Sequence, residues 1–357
     1  MTDDTLRVYD LDREELASYL ANLGEPSYRA QQVWEWLYVH LAKSFEQMTN
    51  LPESLRGRLA EETTLQLVEV VDTLRSADGR TRKDLLRLRD GETIEAVLMR
   101  YERRRTACLS TQVGCAMGCP FCATGQMGFR RNLSSGEIVA QAVHFVRVLQ
   151  HAGDSLTNVV LMGMGEPLAN YEASLAAIRR LSDPAGFRLG QRHITLSTVG
   201  LVPEIHRLAG EGLQITLAVS LHAATDDLRN QIVPINRRYP LDPLIDACAA
   251  YVEQTSRRIS FEWALIKGVN DGPEQAHALA NRIQSLLAHV NLILLNPSPD
   301  YQREGSNRAH VRAFAAVLDQ LGVPYTIRVR RGTAIQAGCG QLRQRSERGC
   351  PGAGPEG

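Results

Sequence analysis

Apolar positions along this chain change their period twice. From about Leu11 to Leu59 they recur every three or four residues. "SYRAQQVWEWLYVHLAKSF" sets Val33, Trp34, Leu37, Tyr38 and Leu41 on one face, the mark of amphipathic helices. From Leu65 to about Met99 the period shortens toward two, in "TLQLVEVVDTL" and "RKDLLRLRDGETIEAVLM" around the turn signal "ADGR". After Arg105, short β-rich runs ("RTACLST", "TNVVLMG", "RHITLST", "LQITLAVS", "RRISFEWALI", "VNLILLN", "YTIRVR") alternate with helical stretches such as "SSGEIVAQAVHFVRVLQ" and "RAHVRAFAAVLDQL". At least six βα units follow. They predict a parallel sheet with right-handed crossovers, either doubly wound or rolled into a full or partial barrel.

The expected layout is a small helical N-terminal domain (1–62), a short β linker or extension (63–101), an α/β core (102–348) and a disordered tail (349–357). In such cores the chemistry collects at the carboxyl ends of the strands. Cys115 to Cys122 follow the first strand and "GMGEP" the second. Ser197 ends the third, Ser220 to His222 the fourth and Asn296 the sixth. One Ser or Asn in such a place is ordinarily a cap or turn residue. Five strands ending this way predict one shared pocket.

Composition adds little until charge is resolved along the chain. The 357 residues are 44% hydrophobic and 22% charged, with net charge zero, so no global field marks a polyanion partner. Locally, Met1 to Glu62 carry twelve acids against six Lys/Arg, while Met99 to Arg131 and Arg328 to Arg348 each carry six Arg and one Glu. Both basic stretches flank cysteine-bearing segments. They are either solvated faces or contacts to a polyanion. No apolar run approaches a membrane span, and "MTDDTLRVYDLDREEL" is too acidic for a secretory or transit signal. The expectation is a cytoplasmic protein with reduced thiols, no membrane partner and nothing that demands more than a monomer. Its seven cysteines then read as ligands, catalytic thiols or core fillers.

Three of them, Cys115, Cys119 and Cys122, fall in eight residues as CxxxCxxC. A closed zinc site wants four ligands. Zinc would need a further donor, such as Cys108 or Cys339, and would leave a stabilised RNA-binding protein without catalysis. A cubane cluster held by three thiolates keeps one iron open to a small molecule. Spacing leaves both readings standing. Alone, Cys108 reads as an apolar strand residue, Cys339 as a turn thiol and Glu95 as a surface glutamate. Cys248, in "LIDACAAYV", reads as core, and Cys350 has no assigned role.

"CAMGCPFC" with "GMGEP" resembles the radical S-adenosylmethionine (SAM) superfamily. "CLSTQVGCAMGCPFCATGQMGFRRNLSSGEIVAQ", "VVLMGMGEPLANY", "ITLSTVGLVPEI", "AVSLHAATDDLRNQIVPINRRYPL", "LILLNPSP", "AGCGQLR" and the N-terminal "PSYRAQQVWEWLY" together resemble the adenine-C2 methyltransferases of 23S ribosomal RNA and transfer RNA. The resemblance spans nearly the whole chain. It implies a partial (β/α)6-type radical SAM barrel, one [4Fe–4S] cluster on Cys115, Cys119 and Cys122, and two SAM per turnover. Gly165, Glu166, Ser197, Ser220, Leu221, His222 and Asn296 fall on SAM-contact positions. Cys339 matches the methyl-carrying cysteine, Cys108 its partner thiol and Glu95 a proposed general base. Partners implied are 23S rRNA, tRNA and an electron donor such as a flavodoxin or ferredoxin system. The family usually places an acid shortly before the methyl-carrying cysteine. Here Thr333 and Ala334 stand there, with Ile335 in place. The sister family that methylates adenine C8 shares cluster and thiols and is the nearest alternative. A methylthio-transferring enzyme would need a second set of cluster cysteines, which the chain lacks.

Overall fold

A computed structural model describes residues 5–296, 298, 301–328 and 332–343. The 349–357 segment with Cys350, and Arg330, Arg331, Arg345 and Arg348 of the second basic stretch, lie outside the described residues. One sheet organises the molecule. Its ten described strands stand side by side in chain order, from Val68–Arg75 at one edge to Tyr325–Ile327 at the other. The first four, Val68–Arg75, Thr81–Leu88, Thr93–Arg100 and Arg105–Cys108, pair antiparallel. From Arg105–Cys108 onward every pairing is parallel, through Asn158–Leu161, Ile194–Thr198, Thr216–Ser220, Ile259–Leu265, Ala288–Leu294 and Tyr325–Ile327. The result is an α/β fold, a sheet antiparallel at one end and parallel through the rest, whose first and last strands are not paired with each other among the described residues. Helices such as Ser135–Gln150, Leu241–Thr255 and Arg308–Gln320 form the crossovers.

The parallel strands obey period two. Along Ile259–Leu265, Phe261, Trp263 and Leu265 are fully buried and Trp263 packs on Phe314 of the Arg308–Gln320 helix. Glu262 and Ala264 alternate with them and face the opposite side of the sheet.

The 63–101 segment, expected as a β linker or extension, supplies the antiparallel wing of the same sheet. Its two inner strands bury nearly every residue, because core covers both faces. The N-terminal helices Arg13–Asn22, Tyr28–Tyr38 and Glu53–Glu62 form as their amphipathic pattern predicts. Asp12 and Glu15 close a capping box on the first of them. One strand interrupts the expected all-helical region: Leu6–Arg7 pairs with Thr63–Thr64. Val33, Trp34, Leu37 and Tyr38 share one hydrophobic core with the barrel, and the buried Arg180 donates to the carbonyls of Tyr9 (2.7 Å) and Asp10 (2.6 Å).

Candidate active site

The three-cysteine loop is built locally. A short hairpin, Gln112–Gly114 with Phe129–Asn132, leads the chain into it, and the Cys115 N–H donates to the Gly128 carbonyl at 2.9 Å. Cys119 joins Ala223, Ile232, Val233, Ile266 and Leu295 in a small apolar cluster at the strand ends, with Cys122 packed against it. Burial pushes the Cys115 thiol up to about 12, with the Glu166 and Cys122 charges adding, and pushes Cys119 well above the ordinary range, with the Cys122 and Cys115 charges adding. Protons are therefore released when the thiols take up metal. Among the described residues no three His, Cys, Asp or Glu side chains gather on a single ion. Thiols that each take a separate corner of a four-iron cluster do not need to. Buried Arg229 offsets the charge at Cys119. It also donates to the carbonyls of Val199 (2.6 Å), Ser220 (3.1 Å) and Leu221 (3.0 Å), tying two strand ends to the loop's floor. No sequence pattern singled out Arg229.

The "GMGEP" turn folds against Gln112. Gly165 has φ +104°, and a Cβ there would meet the Gln112 side chain within 2.6 Å, so only glycine fits. The Gln112 Oε1 accepts from the Glu166 N–H at 2.8 Å. The Glu166 carboxylate is buried and accepts from the Leu168 and Val199 N–H groups at 3.1 and 2.9 Å. Burial raises its pKa to about 7. Here Glu166 shapes the turn rather than standing free.

Ser197 donates to the Leu161 carbonyl at 2.8 Å, and the half-buried Ser220 hydroxyl has no partner among the described residues. Leu221 is fully buried. His222 sits at φ +60°. Its Nδ1 accepts from the Ala264 N–H at 3.0 Å, so the ring is neutral, and burial depresses its pKa to about 3. Asn296 donates from Nδ2 to the Cys339 carbonyl at 3.2 Å, and its buried Oδ1 has no partner. An orphaned amide oxygen, a free hydroxyl and a glycine cradle beside three thiols fit a polar cofactor such as SAM.

Cys108 and Cys339 meet in a cavity of about 200 Å³, which Glu262, Asn296, Arg104 and Arg328 also line. Burial and the Cys339 charge both push the Cys108 thiol far up, while the Met162 N–H opposes them. Cys339 is also raised, by surrounding atoms and by Glu262. It is exposed, so solvent screens much of that push. Its loop is held to the three-cysteine loop, with Ala123 N–H to Gly340 O at 2.8 Å and Thr124 Oγ1 to Leu342 O at 2.6 Å. Gly338 leaves room for Asn296 where a Cβ would collide.

Glu95 corrects its sequence reading. It is 1% exposed, not a surface residue, because the Thr93–Arg100 strand lies inside the sheet. Its Oε1 pairs with the buried Lys83 ammonium at 2.8 Å, and its Oε2 accepts from the Arg343 N–H at 3.0 Å. Lys83 also donates to the Gln336 carbonyl at 3.1 Å. The pair fastens the Cys339 loop to the antiparallel wing. Thr333 to Ile335, where the family's acid is missing, form one 3-10 turn of that loop.

Three arginines of the first basic stretch are held in ion pairs. Arg105 pairs with Asp154, Arg130 with Glu92 at 2.7 Å, and Arg131 with Asp90 at 2.6 Å and Glu137 at 2.8 Å. Arg104, stacked on Tyr101, and Arg328 are exposed and line the cavity.

The profile of the ribosomal RNA large subunit methyltransferase N-terminal domain matches residues 6–65, and that of the radical SAM superfamily matches residues 109–280. The dual-specificity RNA methyltransferase RlmN 1 of Myxococcus xanthus is 51% identical over 97% of both chains. A probable dual-specificity RNA methyltransferase RlmN of Moorella thermoacetica is 50% identical over 92% of this chain and 95% of its own. The crystal structure of a radical SAM methyltransferase from Sphaerobacter thermophilus superposes with TM-score 0.93, at 50% identity, over 95% of this chain and 99% of that one. Alike in sequence and backbone over more than nine-tenths of its length, the chain belongs to the RlmN family of radical SAM RNA methyltransferases.

Proposed function

We propose that this enzyme methylates C2 of an adenine in 23S rRNA, and of an adenine in the tRNA anticodon loop, with the methyl group carried on Cys339. The observation that carries this reading is the convergence of Cys108 and Cys339 on one cavity beside the three-cysteine loop. C2 lies between two ring nitrogens and is electron-poor, so it cannot displace a methyl group from a sulfonium by itself. A [4Fe–4S] cluster on Cys115, Cys119 and Cys122 with bound SAM supplies the reductive cleavage that makes a hydrogen-abstracting radical.

The chain's own residues do the rest. Cys339, exposed at the cavity, loses its proton and takes a methyl group from one SAM by displacement. After a hydrogen atom is removed from that methyl, its carbon joins C2 and links RNA to Sγ of Cys339. The linked base then carries an unpaired electron, which passes back to the electron donor. Glu95, in the family's base position, takes the C2 proton once the Cys339 loop shifts from Lys83 and Arg343. The Cys108 thiolate then attacks Sγ of Cys339. The sulfur–carbon bond breaks and its electron pair goes with the methylene carbon. That carbon takes up a proton to become the methyl group as methylated RNA leaves, and a Cys108–Cys339 disulfide remains for a dithiol reductant to reopen. Two SAM are used per turnover. A flavodoxin or ferredoxin system supplies the electron, and a reducing cytoplasm restores the thiols. The base must be unstacked to enter, which suits RNA loops. No helix among the described residues is long and apolar enough to cross a membrane, and the proposed working unit is a monomer.

The test is anaerobic. Protein loaded with iron is given SAM, reductant and an RNA fragment. Four irons, 5′-deoxyadenosine and 2-methyladenine are expected, and Cys108→Ala should leave RNA covalently attached to protein. 8-Methyladenine would move the attack to the other carbon. Bound zinc with no deoxyadenosine would overturn the enzyme reading.

A further inference from the structure

Glu262 is a carboxylate in the middle of a buried parallel strand, and no step above uses it. It sits in register between Ser220 and Asn291 on the neighbouring strands, facing the barrel interior. One oxygen, Oε1, accepts from Asn291 Nδ2 at 2.7 Å, which fixes the plane of the carboxylate. Oε2 has no hydrogen-bond partner among the described residues. It is also not among the sealed, unpartnered atoms, so it opens on the cavity shared with Cys108 and Cys339. Residue exposure is only 6%. A carboxylate so placed is costly unless something pairs with it. Arg328 answers part of its charge across the cavity, and Glu262 in turn acts on the Cys339 thiol.

A base joined to Sγ of Cys339 through one carbon has to occupy this cavity, which at about 200 Å³ holds little beyond a single base. The open edge of Glu262 then faces that base. An acceptor-only group there selects a ring bearing an N–H donor and repels one bearing a carbonyl oxygen. We propose that Glu262 is a specificity-determining residue whose free carboxylate oxygen accepts the exocyclic amino group of the target adenine. The inference rests on the adenine methyltransferase reading above and assigns the recognition of its substrate base. A site built to bond a donor rejects an analogue lacking it more strongly than an apolar site rejects a change of shape.

The experiment uses iron-loaded full-length protein and RNA fragments with adenine, or purine without the 6-amino group, at the target position. Both retain C2–H, so the chemistry is available to each. Wild type is expected to favour adenine by roughly 10- to 100-fold in kcat/KM, the range for a hydrogen bond to a charged group. Glu262→Ala should treat the two alike, and Glu262→Gln, which keeps the shape and an acceptor, should restore part of the preference. The ratio within each variant is unaffected by partial misfolding. Glu262→Ala with its preference intact overturns the proposal alone. So does a preserved preference with weakened SAM binding by equilibrium dialysis, which would place the donor on the SAM ribose. Wild type that does not methylate adenine at all overturns the functional reading and this inference with it.

Discussion

Two thiol sites stand side by side at the top of the barrel, and they are made in opposite ways. Cys115, Cys119 and Cys122 lie within eight residues, and a hairpin and one short helix suffice to turn them inward. Cys108 ends a strand in the middle of the sheet, and Cys339 lies in a loop at the far end of the chain. Only the folding of the whole sheet and the packing of the Cys339 loop against it bring that pair together. The first site sits in a small apolar cluster of its own; the second lines a cavity with Glu262, Asn296 and two arginines. A local site tolerates variation elsewhere, whereas a long-range site inherits the stability of every element between its parts.

The comparison breaks most decisively at the thiols. Cys119→Ala should abolish four-iron loading, read as iron per chain and loss of the cluster's visible absorption. Cys339→Ala should load iron normally and make no methyladenine. If both lost iron together, the two sites would not be separable. Next in size is the fastening of the Cys339 loop. Lys83→Met leaves the buried Glu95 carboxylate without its ammonium partner, and should cost about 3–5 kcal/mol of stability in urea unfolding. An unchanged midpoint would show that water replaces the ammonium.

A smaller effect is expected from pH. Neutral His222 has a pKa of about 3 in the folded state against an ordinary 6.5. Below about 6.5 the unfolded chain takes up a proton that the folded one refuses. Stability therefore falls as pH falls, by about 2 kcal/mol between pH 6.5 and pH 5. His222→Asn keeps an acceptor and tolerates the positive φ, and should flatten that acid limb in urea midpoints at the two pH values. The smallest effect concerns RNA. Among the described residues of the two basic stretches, Arg104 and Arg328 both line the cavity and stand exposed. Replacing both by Ala should lower the slope of log affinity against log salt by about 1.4, near 0.7 per phosphate contact. An unchanged slope would place the phosphates elsewhere.

Much of this was legible from one dimension. Alternating runs and helical spacing foretold the parallel core and the N-terminal helices; of the strand-end residues expected to share one pocket, Asn296 lines the cavity of Cys108 and Cys339. Misreadings occurred where burial comes from distant elements. Glu95 lies in an alternating strand and looks solvated, until the wing on one side and the Cys339 loop on the other enclose it. The stretch from Met99 to Arg131 left solvated faces and polyanion contacts both open, and the fold brings acids to three of its arginines, Arg105, Arg130 and Arg131. Glu262 left a faint signal, a lone acid inside "RRISFEWALI". Arg229 left none, because its partners are backbone carbonyls of other strands.

By itself, then, the amino-acid order determined what depends on near neighbours: strand and helix periods, the three-thiol loop and the glycines its turns require. Tertiary structure alone decided which thiol faces which, that Lys83 holds Glu95 against the Cys339 loop, and that one oxygen of Glu262 opens on the cavity. The physical reason is that a residue's charge state and partners depend on what excludes water from it. In a parallel barrel, that wall is supplied by strands and loops tens to hundreds of residues away.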